Sequence, residues 1–147
     1  VSPVNVVVAP GGIVKLVNFD LARIPNTPHP DRGKKLIERF DQHYVAPEVY
    51  EDPTNATPAS DIYSLGILFY ELITGEPPYE SIERSSDLPT IGTQALLDEL
   101  TDAHNADFMS APQDAIDILL KMTNPDPSKR YQAMDEVMED LAIVKLM

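Results

Sequence analysis

The sequence predicts an α+β fold that is mainly α-helical, with one small β-hairpin near its N-terminus. Two short runs rich in β-branched residues, 5–8 and 13–17, flank the turn-forming stretch Ala9-Pro10-Gly11-Gly12. Segments with helical spacing of apolar residues follow from residue 56 onwards. The chain has 147 residues, 43% of them apolar, which is enough for one domain with a hydrophobic core.

The most clearly bounded helix is predicted over residues 58–74. Thr57 offers a capping hydroxyl and Pro58 suits a first helical turn, whereas Gly75, with Pro77 behind it, ends the helix. Apolar residues cover most of its circumference, so we expect burial on nearly all sides. These residues are Ile62, Leu65, Ile67, Leu68, Phe69, Leu72 and Ile73.

Three further helices are predicted from spacing. Leucines at 96, 97 and 100 indicate one of them. Ser110 and Gln113 resemble a capping box for a second helix that runs through Met122. Apolar residues at i, i+3 and i+4 from Tyr131 to Leu141 indicate the last helix. By periodicity alone, a generic helical bundle would explain this half of the chain equally well.

Composition excludes several classes of protein. The chain has no cysteine, so disulfides and thiolate metal sites are excluded, and its three histidines lack metal-ligand spacing. No apolar run reaches the roughly 20 residues of a membrane span, and no signal peptide is recognisable. The net charge of -13 disfavours nucleic-acid binding. We therefore expect a soluble cytoplasmic protein without a nucleic-acid or membrane partner.

The charge is unevenly distributed, because residues 1–39 carry a net +3 and residues 40–147 a net -16. Residues 20–45 lack periodicity and are interrupted by prolines, which predicts a long functional or mobile loop. Two interpretations of its basic residues remain open: attraction of an acidic partner or phosphate, or simple solvation. These residues are Arg23, Arg32, Lys34, Lys35 and Arg39.

Three motifs resemble, in order and spacing, the second half of a protein kinase catalytic region. They are Val1-Ser2-Pro3-Val4-Asn5, Asn18-Phe19-Asp20 and Ala46-Pro47-Glu48. The first motif also resembles the catalytic loops of bacterial Ser/Thr kinases. The resemblance implies a kinase-like large, C-terminal lobe with a hairpin at its N-terminus. Residues 1–147 would then be a partial kinase domain, from the end of the catalytic loop to the last helix, without the N-terminal lobe.

The resemblance also implies where the site residues lie. The family's catalytic Asp would fall one position before Val1, so we expect no catalytic residue within the chain. Asn5 matches the loop Asn that is one of the family's two metal ligands, Asn18 stands where the family has the Asp that is the other, and Asp20 stands where the family has Gly. A neutral amide lacks the charge that Mg²⁺ favours, so we expect impaired metal binding, with Asp20 as a displaced substitute ligand.

Three residues match the family's activation segment. Thr27 is the one plausible phosphorylation switch, near the charges of Lys34 and Lys35. Asp41 stands where active kinases carry a Thr that orients the catalytic carboxylate, and it would bring like charge towards that carboxylate. Tyr44 matches a packing position.

Other matches concern architecture. Glu48 of Ala46-Pro47-Glu48 and Arg130 correspond to an ion pair between the activation segment and the C-terminal helices, although surface charges are the plain alternative. Asp61, in the same motif as Gly66, matches a helix Asp that anchors the catalytic-loop backbone. Without the resemblance it would be an ordinary acidic residue of a first helical turn.

The resemblance implies the C-terminal lobe of an ATP-dependent Ser/Thr protein kinase-like protein. ATP and Mg²⁺ would serve the parent protein, whereas the isolated chain is expected to be inactive and to need neither. A pseudokinase that acts as a binding or regulatory module is the alternative, and a free-standing acidic helical module is a third possibility. Expected partners are the missing N-terminal half, a protein substrate or regulatory protein, and a second copy of the chain. The second copy would pair through an apolar patch that helix 58–74 exposes when the missing half does not cover it.

Overall fold

The computed structural model describes residues 1–24, 26–27, 41–78, 98 and 111–144. Their predicted α+β, mainly α-helical character is confirmed. The strands are β1 (Val6–Ala9) and β2 (Ile13–Leu16), and the α-helices of the described residues are α1 (Pro47–Glu51), α2 (Pro58–Thr74), α3 (Gln113–Met122) and α4 (Met134–Ile143). Short 3-10 turns cover Pro3–Asn5, Gln42–Tyr44, Pro53–Asn55 and Pro127–Lys129.

The hairpin is antiparallel, with Val6 opposite Leu16 and Val8 opposite Val14. The chain can reverse direction in its turn because Gly11 and Gly12 adopt φ of 85° and 77°, a region that residues with a Cβ rarely occupy. Side chains alternate between the two faces of a strand, and both faces of this hairpin carry apolar residues. Most of them are exposed: Val7, Val8, Ile13, Val14 and Leu16.

Helix α2 has the predicted bounds. At its start the Ser60 hydroxyl accepts a hydrogen bond of 3.1 Å from the backbone N–H of Thr57, and Gly75 ends the helix with φ of 88°. Ile62 and Ile67 are buried, as expected. The expectation of burial on nearly all sides is wrong at Leu72, which is 76% exposed because no described segment packs over it.

Two groups of buried residues meet on α2. One contains Tyr44, Val45, Ala46, Val49, Tyr63, Ile67 and Leu68. The other contains Ile62, Ile118, Met122, Tyr131 and Val137, and so joins α2 to α3 and α4. The α2–α3 contact is close at Gly66, where an added Cβ would lie 2.7 Å from Thr123 Cγ2. Helix α2 is therefore the central element of the described structure.

Helix α3 begins differently from the prediction. Its N-cap is Pro112, and the Gln113 amide donates to Asp117 Oδ1 at 2.9 Å. The predicted capping box is wrong because Gln113 is the first helical residue instead of the third, and Ser110 lies outside the described residues. Leucines 96, 97 and 100, which predict another helix, also lie outside the described residues; Asp98 between them is described and is helical.

Helix α4 starts at Met134, three residues later than the apolar spacing indicates. Tyr131 is buried ahead of the helix, and Val137 is its buried residue. Met134, Met138 and Leu141, whose spacing predicted the helix, lie within it and are exposed. In the described part of the chain, no helix has both the length and the apolar character needed to cross a membrane.

Candidate functional site

Asn5 and Asn18 meet where the hairpin returns to its starting point. The backbone N–H of Val17 donates to the Asn5 carbonyl at 2.9 Å, which extends the strand pairing by one step. Asn18 then adopts φ of 62°, a left-handed conformation that Asn tolerates better than most residues, and its Nδ2 donates to Asn5 Oδ1 at 3.3 Å. Hairpin register therefore sets the distance between the two amides.

The contact extends to a third neutral group. Asn5 Nδ2 lies 3.3 Å from the Oγ of Ser2, which is buried, and donates a hydrogen bond to it. Ser2 is held close because the 3-10 turn Pro3–Asn5 brings the Asn5 N–H within 3.0 Å of the Ser2 carbonyl. A hydroxyl and two amides thus form one chain of hydrogen bonds that contains no carboxylate.

This set of donors and acceptors fits Mg²⁺ poorly. The ion prefers negatively charged oxygen ligands, and the Asn5 oxygen already accepts a hydrogen bond from Asn18. Asp20 follows in an exposed turn, two residues beyond the side chain that meets Asn5. Within residues 1–24, 26–27, 41–78, 98 and 111–144, no cluster of three or more His, Cys, Asp or Glu side chains is placed to hold a metal.

Glu48 and Arg130 form a two-pronged ion pair, although 82 residues separate them in sequence. Arg130 Nη1 donates to Glu48 Oε1 and Nη2 donates to Oε2, both at 2.8 Å. The Arg130 side chain is fully buried, and 14% of the Glu48 side chain is exposed. The pair connects α1 to the segment that precedes α4, so it is not the surface contact that the alternative interpretation describes.

All five N–H groups of the Arg130 guanidinium have acceptors. Beyond Glu48, they donate to the backbone carbonyls of Asn124, Pro125 and Ala59, at 2.6, 3.1 and 3.2 Å. The guanidinium carbon also lies 4.8 Å from the centre of the Tyr63 ring, close enough for a cation–π contact. A buried charge is stable here because every polar hydrogen is paired.

Neighbouring groups stabilise the charged form of Glu48 in this pair. The Ser60 hydroxyl donates to Glu48 Oε1 at 2.7 Å, so the start of α2 supports the carboxylate. Burial opposes ionisation of Glu48, but hydrogen bonds from Arg130 and Ser60 and the charge of Arg130 outweigh it, and its pKa lies below the usual range. Neither the backbone carbonyls that accept from Arg130 nor the contact of Ser60 with Glu48 could be recognised from the sequence.

Tyr44 joins the turn Gln42–Tyr44 to α2. Its hydroxyl donates to Glu71 Oε2 at 2.5 Å, and its carbonyl accepts from the buried Ser64 hydroxyl at 2.7 Å. Burial, with a smaller effect of the Glu71 contact, raises the Tyr44 pKa. Asp41 caps the turn that carries Tyr44, where its Oδ1 accepts from the His43 N–H at 3.3 Å. Glu71 was not identified from the sequence.

The remaining predicted residues lie as follows. Asp61 is exposed, and its Oδ1 lies 4.0 Å from the Val1 backbone nitrogen, so it faces the segment that the resemblance assigns to the catalytic loop. Thr27 is exposed, and its N–H donates to the Ile24 carbonyl at 3.1 Å. Lys34 and Lys35 lie outside the described residues.

One basic residue of the loop has a clear structural role. Arg23 Nη1 donates to the carbonyl oxygens of Thr54 and Ala56, the latter at 2.9 Å. It therefore ties the segment after the hairpin to the residues just before α2. Neither of the two interpretations left open for the basic loop included this contact.

Comparisons with known proteins identify the family of the chain. The family model described as protein kinase domain matches residues 1–141. The chain belongs to the protein kinase family.

Similar curated proteins carry the same family name. Serine/threonine-protein kinase PknB of Mycobacterium tuberculosis is 30% identical over 149 residues, covering 98% of this chain and 22% of that protein. A probable serine/threonine-protein kinase PknB of Lactococcus lactis is 28% identical, over 96% of this chain and 21% of that protein. A probable serine/threonine-protein kinase of Dictyostelium discoideum is 29% identical, over 92% of this chain and 24% of that protein. The chain thus spans about a fifth to a quarter of the length of these relatives.

Proposed function

We propose that this chain supplies the C-terminal lobe of a serine/threonine protein kinase-like protein. The whole protein would transfer a phosphoryl group from ATP to Ser or Thr of a protein substrate, with the helices around α2 as the platform on which substrate binds. The observation that supports the proposal is the hydrogen bond between Asn5 and Asn18, because these are the two positions that the resemblance assigns to the family's metal ligands. The chain alone is inactive in this proposal and uses neither ATP nor Mg²⁺.

The exposed apolar side chains of the hairpin favour a contact between this chain and the N-terminal half of a kinase domain. Val8, Val14 and Leu16 share one face with Val6, while Val7 and Ile13 lie on the other, and all except Val6 are largely exposed. A hairpin that is apolar on both faces gains stability when both are covered. We therefore place the N-terminal half over these residues, with pairing of two copies as the alternative arrangement when that half is missing.

The site also favours a second function, that of a pseudokinase. In this case the whole protein keeps the family fold as a cytoplasmic binding or regulatory module for another protein. The supporting observation is chemical: the amide of Asn18 stands where the family has a carboxylate and donates to Asn5, so the negative charge that would hold a metal beside the ATP phosphates is missing.

A transfer assay on the whole protein distinguishes the two functions. The purified protein would be incubated with ATP labelled at the γ-phosphate, Mg²⁺ and a mixture of Ser- and Thr-containing proteins. Incorporation that requires Mg²⁺ and is absent with EDTA supports the kinase function. Nucleotide binding without incorporation supports the pseudokinase function, and the absence of both would contradict a nucleotide site of either kind.

The proposed cover of the hairpin has its own test. The chain should bind an apolar-sensitive dye, and Val8→Thr with Val14→Thr should reduce that binding. Leu72→Thr, at one exposed position of the otherwise largely buried α2, is the control and should leave most of the binding in place. A chain that stays monomeric at high concentration and binds no dye would contradict an uncovered apolar hairpin.

A further inference from the structure

Helix α4 presents an apolar stripe to solvent. Met134, Met138 and Leu141 are 40%, 61% and 38% exposed, and their spacing of four and then three residues places them along one side of the helix. The helix is anchored by another residue, because Val137 is fully buried with Tyr131 and Ile118. The stripe is therefore available for contact without loss of the core.

Acidic residues accompany this stripe. Helix α4 carries four acidic residues, Asp135, Glu136, Glu139 and Asp140, and no basic residue within its bounds. Asp140 accepts from the Tyr131 hydroxyl at 2.7 Å and lies 4.0 Å from Lys121 Nζ, while Glu136 accepts from the Gln132 N–H at 3.1 Å. Asp135 and Glu139, four residues apart, are exposed and run parallel to the stripe.

The position of these charges favours a cationic neighbour. Asp135 lies in the first turn of α4, where the helix dipole favours an acidic side chain, whereas Glu139 lies in the second half of the helix, where the dipole gives it no such support. A cation brought close to both carboxylates is attracted by their charge. Methionine side chains are flexible and polarizable, and they adapt to apolar partners of different shape. The apolar stripe and the charges beside it therefore complement one kind of surface.

We propose that α4 docks a cationic amphipathic helix of a partner protein. Leucine-like side chains of the partner would cover Met134, Met138 and Leu141, while its Lys or Arg residues would reach Asp135 and Glu139. A second copy of this chain is the poorer occupant, since each copy carries a net charge of -13 and two acidic helices would face each other. The proposal is independent of phosphoryl transfer, because α4 carries none of the residues around Asn5 and Asn18.

The test uses the full 147-residue chain and a synthetic probe. The probe is a fluorescent Leu/Lys peptide of about four helical turns whose leucines form one stripe. Two control peptides have the same composition in scrambled order, or Glu in place of Lys. Fluorescence anisotropy measures binding, and thermal unfolding followed by circular dichroism checks each variant.

The proposal predicts that the amphipathic cationic peptide binds tightly and that neither control peptide does. Met134→Gln with Met138→Gln should weaken it about tenfold, and Asp135→Lys with Glu139→Lys should weaken it similarly and reduce its dependence on salt. Ile143→Gln and Leu72→Gln, at residues that are 72% and 76% exposed outside the stripe, are the matched controls and should leave binding unchanged.

Other outcomes would overturn the proposal. Equal binding of the scrambled or the Glu peptide would show general attraction to an acidic or apolar protein. Equal loss in the Ile143 or Leu72 variant would place the contact elsewhere. If Met138→Gln alone dissociates a dimer of the chain, a second copy occupies the stripe, and if that variant lowers the melting temperature, Met138 belongs to the core.

Discussion

Replacing Arg130 by Lys should destabilise the chain strongly. The guanidinium places five N–H groups on Glu48 and three backbone carbonyls, whereas an ammonium has three hydrogens and cannot span both Glu48 oxygens in a plane. At least two of these contacts lose their donor in Arg130→Lys. A hydrogen bond to a charged group contributes about 1.5–3 kcal/mol, so we expect the free energy of unfolding to fall by about 3–5 kcal/mol.

Urea unfolding followed by the helical circular-dichroism signal measures this change. With a urea dependence of about 2 kcal/mol per molar, the midpoint should fall by about 2 M. Lys129→Ala is the matched control, because Lys129 is the exposed neighbour and lies 3.8 Å from the exposed Asp126; its effect should stay below about 1 kcal/mol.

A loss of less than about 1 kcal/mol in Arg130→Lys would refute the reasoning, because it would mean that the five contacts are not needed together. Replacing both partners provides a further check. Glu48→Leu with Arg130→Met leaves no unpaired charge, so it should be less destabilising than Arg130→Met alone, which strands the Glu48 carboxylate.

Three further changes have defined outcomes in the same unfolding assay. Gly66→Ala should lower the free energy of unfolding by about 1–3 kcal/mol, because its new methyl group would meet Thr123 Cγ2 at 2.7 Å. Adding Thr123→Ser removes that methyl contact and should restore part of the lost stability. If the second substitution restores nothing, the strain lies elsewhere. Tyr44→Phe removes the hydroxyl that donates to Glu71, so it should lower the free energy of unfolding by about 1.5–3 kcal/mol. An unchanged urea midpoint would contradict this hydrogen bond. Because the pKa of Glu48 is lowered in the folded chain, its contribution is complete above the usual Glu pKa of about 4.3 and is lost as the pH falls through the folded value. The stability difference between the wild type and Glu48→Gln should thus shrink below about pH 4, and a constant difference would contradict the assigned pKa direction.

Features that depend on nearby residues could be predicted from the sequence. Thr57, Pro58 and Gly75 act on the backbone within a turn of their own position, so the bounds of α2 followed directly from them. The hairpin followed equally from β-branched runs around two glycines. Motif spacing added the contact between Asn5 and Asn18 and the pairing of Glu48 with Arg130, which neither periodicity nor composition indicates.

Features that depend on distant backbone atoms could not be predicted. The carbonyls that receive the Arg130 hydrogens and the carbonyls held by Arg23 become acceptors only when the chain has folded, and any residue type supplies a carbonyl. The apolar spacing predicted the last helix but not its burial: Met138 faces solvent, because periodicity identifies one side of a helix without showing what covers it.

The central proposal is that the neutral amide of Asn18 stands in place of the family's metal-binding carboxylate on a protein kinase scaffold and weakens Mg²⁺ binding, and the Mg²⁺ dependence of ATP affinity tests it most directly. Affinity would be measured for the whole protein, with Mg²⁺ and with EDTA, in the wild type, in Asn18→Asp and in the control Asn26→Asp. Asn26 suits the control because its φ of 61° matches the 62° of Asn18. The account predicts less than about a threefold effect of Mg²⁺ on the wild type and on Asn26→Asp, and a gain of about tenfold for Asn18→Asp. A wild-type affinity that already rises tenfold with Mg²⁺, or an Asn18→Asp variant that gains nothing, would contradict it.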